Sequence, residues 1–306
     1  MRKQLLIVVV GPTGVGKTAV AIQLAKNYGT EIVSADSRQF YKEIPIGTAA
    51  PTIEETDGVV HHFIGHLSVR EPMDAGQWAQ QASMKIESLF LTYDTVICAG
   101  GSGLYINALL SGMDDLPERS DVLRTELEEA FTMHGISVLQ ERLRNLDPEY
   151  CEMVDMNNHK RLIRAIEVCE LSGRKYSELR KGEAAQLPYQ VVTIGLNMDR
   201  EVLYKRIDAR VDLMIQQGLE DEARSVSDFR NNNALATVGY REMFSYFDGE
   251  ISKERAVELI KQHSRNYAKR QLTWWRRDDT VNWFHPSQIN EIIARCEDLR
   301  NLRVNH

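Results

Sequence analysis

The apolar run Leu5–Val10 opens directly into Gly11-Pro12-Thr13-Gly14-Val15-Gly16-Lys17-Thr18, and no other stretch restricts the fold as strongly. The spacing is G-x-x-x-x-G-K-[ST], a loop whose backbone N–H groups wrap a phosphate chain. Such a loop needs a buried strand before it and a helix after it, and Lys17–Tyr28 carries the helical pattern. The start of that helix turns unpaired amides and the positive end of its dipole towards an anion. Gly14 and Gly16 permit backbone geometry that a Cβ obstructs, Lys17 adds a point charge, and the Thr18 hydroxyl suits Mg²⁺. Residues 11–18 are thus the expected phosphate site, with Thr18 the expected metal contact.

Further apolar runs at 31–37, 95–101 and 190–197 alternate with helical patterns such as Ala75–Tyr93. This alternation predicts an α/β fold with a doubly wound, mainly parallel sheet and ligands at the carboxyl ends of its strands. From Leu116 to Leu187 the texture changes. Charged helical segments at 121–134, 137–145 and 159–172 follow one another without a strand pattern. The expected division is a phosphate-loop α/β core, residues 1–115 and 188–306, interrupted by a helical insertion at 116–187. After Arg200 the chain reads as helices at 200–217, 219–230, 253–276 and 289–302.

The net charge of −7 argues against nucleic-acid binding by the whole surface. It leaves room for a local basic site. Lys261, Arg265, Lys269, Arg270, Arg276 and Arg277 fall within 261–277 with no acidic residue among them, which predicts one surface reserved for anions. No apolar run is long enough to span a bilayer. The start Met1-Arg2-Lys3 leads into the phosphate loop without a cleavage site, so a cytoplasmic protein is expected. The four cysteines are scattered with no C-x-x-C pair, as expected for thiols in a reducing compartment.

Asp36 ends the second apolar run and should face the phosphate loop across the crevice. A carboxylate there can hold Mg²⁺ through water or accept a proton from a nucleophile, whereas the bland reading is a turn cap. The run at 95–99 ends in Gly100-Gly101-Ser102-Gly103, where many nucleoside triphosphatases carry a metal-binding Asp. Here glycines allow close approach and Ser102 offers a hydroxyl. There is no Asn-Lys-x-Asp segment to read guanine, so the bound phosphate need not belong to a purine nucleotide. His61, His62 and His66 have no acidic or Cys neighbour in sequence and are read as hydrogen-bonding residues. Trp274, Trp275 and Trp283 are read as core before stacking platforms.

Together these motifs resemble the tRNA dimethylallyltransferases, also called tRNA isopentenyltransferases. The matching pieces are GPTGVGKT at 11–18, DSRQFYKEIPIGTAAP at 36–51, GGSGLYINALLSG at 100–112, KRLIRAIEV at 160–168, LPYQ at 187–190, RVDLMIQQGLEDE at 210–222, TVGYRE at 237–242 and KRQLTWWR at 269–276. They run in order through nearly the whole chain, which makes the match far more specific than the loop alone. The resemblance implies a phosphate-loop NTPase-like core with a helical insertion. It also implies transfer of a dimethylallyl group from dimethylallyl diphosphate to N6 of the adenosine 3′-adjacent to a tRNA anticodon. Loop residues Gly11–Thr18 and Arg210 would hold the diphosphate with Mg²⁺. Lys17, Asp36 and Ser102 would be catalytic, Asp36 taking the N6 proton and Ser102 bonding near the amine. For tRNA the resemblance implies contacts from Asp36, Ser37, Arg38, Gln39 and Ser102. To these it adds Arg124, Lys160, Arg161 and Arg164 in the insertion, then Gly239, Tyr240, Arg241, Lys269, Arg270, Gln271 and Arg276. Members commonly carry Thr where this chain has Ser102. A chain ending at His306 without a zinc finger looks bacterial in type, and a monomer is expected. The rival reading is a small-molecule or nucleotide kinase with ATP or GTP in the same loop. A third is an RNA-binding regulator with a vestigial loop.

Overall fold

The computed structural model describes residues 3–112, 116–180 and 187–302. Strand β1 (Leu5–Val10) leads through α1 (Lys17–Tyr28), β2 (Ile32–Ser34), the single turn α2 (Pro45–Thr48) and β3 (His61–His62) to α3 (Ala75–Leu89), β4 (Thr95–Ala99) and α4 (Gly103–Ser111). A purely helical stretch follows: α5 (Asp121–His134), α6 (Ile136–Leu146), α7 (Pro148–Met153), α8 (His159–Ser172) and α9 (Tyr176–Leu179). The sheet resumes with β5 (Gln190–Leu196). It is followed by α10 (Arg200–Gln216), α11 (Leu219–Ser225), α12 (Tyr240–Phe247), α13 (Lys253–Trp275), β6 (Asn282–Phe284) and α14 (Ile289–Leu302).

All six strands are parallel, in the order β3-β2-β4-β1-β5-β6. This is an α/β, phosphate-loop NTPase-like sheet. Every side chain of β1 is buried, the pattern of a strand covered by helices on both faces. Leu5, Ile7 and Val9 pack against Val20, Leu24 and Ala25 of α1 and against Leu203 and Ile207 of α10. Because β2, β4 and β1 are neighbours, the turns that leave their carboxyl ends are neighbours too. Ala35 N donates to Ala99 O at 2.8 Å, and Gly100 N donates to Val9 O at 3.1 Å. The phosphate loop, Asp36 and the glycine cluster are brought together by strand order.

The chain divides into two compact units, Met1–Leu109 with Gln186–His306, and Leu110–Ala185. The boundary expected at 115/116 meets residues 113–115, and the one at 187/188 adjoins 181–186; both segments lie outside the described residues. The helical unit has its own core of Leu127, Leu139, Leu143, Leu162 and Ile166. Beside that core lies a carboxylate with no exposed side-chain surface, Glu167. It accepts from Ser120 N at 2.9 Å, Arg124 at 3.0 Å and Arg164 at 2.8 Å, which offsets the cost of removing its charge from water.

Two expected helices are shorter in the structure. Ala75–Tyr93 stops at Leu89, and Leu219–Arg230 stops at Ser225 before a 3₁₀ turn at Ser227–Phe229. Ser225 Oγ donates back to Glu222 O at 2.7 Å, a local bond that competes with the helical ladder. The edge strands β3 and β6 were not expected, because two or three residues carry no readable period. His62 in β3 bonds Glu31 Oε2 at 2.6 Å, so its acidic partner comes from across the sheet. Trp275 is core, while Trp274 is partly exposed.

Candidate active site

Helix α1 is preceded by Gly16 at its N-cap, whose φ of 107° is left-handed and whose lack of a side chain leaves the first amides of the helix uncapped. By contrast, Asp, Ser or Asn side chains cap α3, α5, α7, α8, α10 and α13. The uncapped amides open on a cavity of 680 Å³ lined by Thr13, Gly14, Gly16, Lys17 and Thr18. Gly11, Pro12 and Val15 do not line it. Val15 belongs to the core, and Gly11 and Pro12 contribute carbonyls that accept from Lys17 Nζ at 3.1 and 3.0 Å. Burial pulls the Lys17 ammonium down to about 8, against the attraction of Asp36 and with the repulsion of Arg210. Burial likewise lowers Arg210, which Asp36 and Glu55 pull back up.

Asp36 and Arg210 also line a second cavity of 290 Å³. Thr13, Thr48 and Met214 are the other residues common to both cavities, so the carboxylate stands where the two meet. The Asp36 turn is set locally by its own carboxylate, which accepts from Arg38 N at 3.1 Å. Ser37, Arg38, Gly239, Arg241 and Arg270 line the second cavity, and Gln39 lines the first. Arg38 Nη1 is already bonded to Asn233 O at 2.6 Å, and Gln39 Nε2 to Ala49 O at 2.9 Å.

Several expected contacts are placed otherwise. Ser102 is buried and lines neither cavity; its Oγ accepts from Ser37 N and donates to Ser37 Oγ, both at 3.1 Å. It therefore holds the turn beside Asp36. Gln271 is interior, its amide joining Thr13 N at 2.8 Å to Gly101 O at 2.9 Å, so it ties the phosphate loop to the glycine cluster. Tyr240 is fully buried, with its hydroxyl 2.5 Å from Glu222. Neither of these side chains is a surface contact. Arg124 and Arg164 are engaged by Glu167, as above. Lys160, Arg161, Lys269 and Arg276 are exposed. Of the basic run in 261–277, Lys261 and Arg265 are ion-paired to Asp212 and Asp208 of α10, which narrows the surface expected for anions.

Sequence reasoning missed Arg206, Glu55 and Met214 in the first cavity and Tyr267 in the second. Two of these have a signal. Arg206 stands one helical turn before Arg210, and Tyr267 one turn before Arg270 and Gln271, spacings that share a face. Burial, and then the Asp36 charge, push the Tyr267 phenol up to about 12, so it keeps its proton.

Residues 39–278 match the family model described as IPP transferase. A tRNA dimethylallyltransferase of Cytophaga hutchinsonii is 48% identical over 95% of this chain and 96% of its own length. One from Phocaeicola vulgatus is 46% identical, over 98% and 99%. The crystal structure of a tRNA isopentenylpyrophosphate transferase from Bacillus halodurans superposes with a TM-score of 0.72 at 36% identity, covering 97% of this chain and 98% of that one. A eukaryotic dimethylallyltransferase acting on tRNA shares the fold, with a TM-score of 0.81 at 24% identity over 96% of this chain and 77% of its own. A glycine-rich loop opening on a cavity, a carboxylate between two cavities and relatives alike from end to end lead to one conclusion: the chain belongs to the IPP transferase family, whose bacterial members here are tRNA dimethylallyltransferases.

Proposed function

We propose that the chain transfers a dimethylallyl group from dimethylallyl diphosphate to N6 of the adenosine 3′-adjacent to the anticodon in tRNA. The observation that carries this reading is the placement of Asp36 and Arg210 on the common wall of two cavities, one of them walled by the phosphate loop. The diphosphate occupies the larger cavity, against the loop amides, Lys17 and Arg210. An adenine in a stacked anticodon loop reaches this depth only by leaving its stack, and the smaller cavity receives it.

The N6 lone pair attacks the allylic carbon, the C–N bond forms, and the C–O bond to the diphosphate breaks with its electron pair leaving on oxygen. Asp36 accepts the N6 proton. Negative charge growing on the diphosphate is met by donors already in place, which is where preorganised electrostatics act most strongly. Ser102 holds the Ser37 turn in register with Asp36. Thr18 and Glu55 are among the side-chain oxygens of the larger cavity suited to a hard cation. Among the described residues no group of three or more His, Cys, Asp or Glu is placed to hold a metal alone. That donor set fits Mg²⁺, which binds through one or two carboxylates together with substrate phosphates. When bound, it supplies neutralising charge beside the diphosphate.

Arg38, Arg241 and Arg270 at the smaller cavity, with exposed Lys269 and Arg276, supply tRNA phosphate contacts. Lys160 and Arg161 of the helical unit add to them. The latter two occupy the first turn of α8, where the helix dipole disfavours cations and an RNA phosphate reverses the balance. Among the described residues no helix is long and apolar enough to cross a membrane, and a cytoplasmic site of action is proposed.

The test is incubation with undermodified tRNA and dimethylallyl diphosphate, followed by mass analysis of the digested nucleosides. An adenosine heavier by one C5H8 unit is expected. Phosphate transfer from ATP with no prenylated nucleoside would replace this reading with the kinase.

A further inference from the structure

Glu222 has no part in the reaction as described so far, yet its carboxylate has three donors. Ile46 N lies at 2.7 Å, Gly47 N at 2.8 Å and the Tyr240 hydroxyl at 2.5 Å. Ile46 and Gly47 belong to α2, a four-residue helix with no side-chain cap of its own at Ile44. Its leading amides have no partner within so short a helix, and a carboxylate arriving from α11 satisfies them. Tyr240 is fully buried behind this contact. Burial and then the Glu222 charge push its phenol upward, which keeps it a donor. Gly47 makes the approach feasible, because a Cβ there would run into the Tyr240 hydroxyl.

The far end of α2 reaches the reaction centre. Ala49 closes the helix at a φ of 46°, a left-handed conformation that is strained for alanine. Its carbonyl accepts from Gln39 Nε2 at 2.9 Å and from Arg210 Nη2 at 3.1 Å. Thr48 lines both cavities, Ala49 the larger and Gly47 the smaller, so α2 is the partition between them.

We propose that Glu222, acting with Tyr240, is a positioning residue for the transfer reaction: it anchors α2 so that the Ala49 carbonyl aims the Arg210 guanidinium at the departing diphosphate. The proposal rests on the diphosphate site described above. It concerns orientation, which matters because a misplacement of about 1 Å can cost ~10²-fold in rate.

The test is a double-mutant cycle between Glu222→Gln and Arg210→Ala in the full chain, read by steady-state kinetics and by calorimetric binding of pyrophosphate. Glu222→Gln is expected to lower kcat about tenfold and weaken pyrophosphate binding about fivefold, with KM for tRNA within about twofold of wild type. In the Arg210→Ala background the same change is expected to cost less than about twofold, because the group it acts through is gone. Tyr240→Phe keeps the ring, runs the same cycle with penalties of about threefold, and replaces Glu222→Gln if that variant does not fold. Equal penalties in both backgrounds, or a loss confined to KM for tRNA, would overturn the proposal. A wild-type chain that binds no pyrophosphate would overturn the diphosphate site itself, an outcome visible before any substitution is made.

Discussion

Two clusters of charge in this molecule share the same chemistry and differ in how their charges are satisfied. In the helical unit, Glu167 lies between Arg124 and Arg164, and the Ser120 amide completes its coordination. In the α/β unit, Lys17 reaches only the carbonyls of its own loop, Arg210 a single carbonyl, and Asp36 a single backbone amide among the described hydrogen bonds. The first cluster closes on itself and stabilises a core. The second keeps capacity open towards cavities, which costs stability and reserves the groups for a ligand. Residue type alone does not separate the two cases; the presence of internal partners does.

The largest effect that sharpens this contrast is expected at Asp36. Asp36→Ala should lower prenyl transfer by about 10²–10⁴-fold while tRNA still binds in a filter assay. Turnover within tenfold of wild type would remove Asp36 from the proton transfer. At the closed cluster the expected loss is of stability. Glu167→Ala should cost about 1.5–3 kcal/mol in chemical denaturation followed by circular dichroism, because two half-buried cations and the Ser120 amide lose their acceptor. Glu167 is held below its ordinary value because bonds from Arg164, Ser120 N and Arg124 outweigh the upward push of burial. Its contribution is therefore present above the ordinary glutamate range and is lost as pH falls through the lowered value. A Glu167→Ala variant as stable as wild type at neutral pH would break the comparison.

Lys17 gives a pH test of the open cluster. Its ammonium is charged below about 8 in the free protein. Pyrophosphate affinity should therefore fall as pH rises above that value, by up to about tenfold per unit. Lys17→Arg, which stays charged throughout, should flatten the profile; a wild-type profile flat up to pH 10 would contradict the open-cluster reading. The smallest effect concerns the exposed pair on α8. Lys160→Ala with Arg161→Ala should raise KM for tRNA about three- to tenfold and reduce the salt slope of tRNA binding by about 2, with pyrophosphate affinity unchanged. An unchanged KM and slope would make these two side chains ordinary solvated residues.

Most of the α/β sheet was legible because its strands are continuous apolar runs joined to helices of clear period. Lys17–Tyr28, Asp121–His134 and His159–Ser172 begin and end where their patterns do. The roles of single polar residues were less legible. Gln271 and Lys269 stand two positions apart on α13, yet one is interior beneath the phosphate loop and the other is exposed. Tyr240 sits within a motif that reads as a surface signature and is buried against Glu222, eighteen residues earlier in the chain. Arg124 and Arg164 were grouped as tRNA contacts because the family resemblance implies contacts at those positions. Their shared carboxylate, Glu167, stands three residues after Arg164 on the same face of α8, while its pairing with Arg124 of α5 comes only from packing.

By itself the sequence determined that a strand and a glycine-rich turn would lead into a helix whose first amides have no side-chain cap, since that geometry is local and each residue type in it is constrained. It also determined the alternation that builds a parallel sheet and the change to a helical insertion. Tertiary structure alone decided which charges would be left open. Strand order brought the ends of β1, β2 and β4 together, and α2 was fixed between two cavities by a carboxylate from α11. Whether a polar side chain is free depends on partners far away in sequence, and hydrogen bonding over such separations is settled only when the chain has packed.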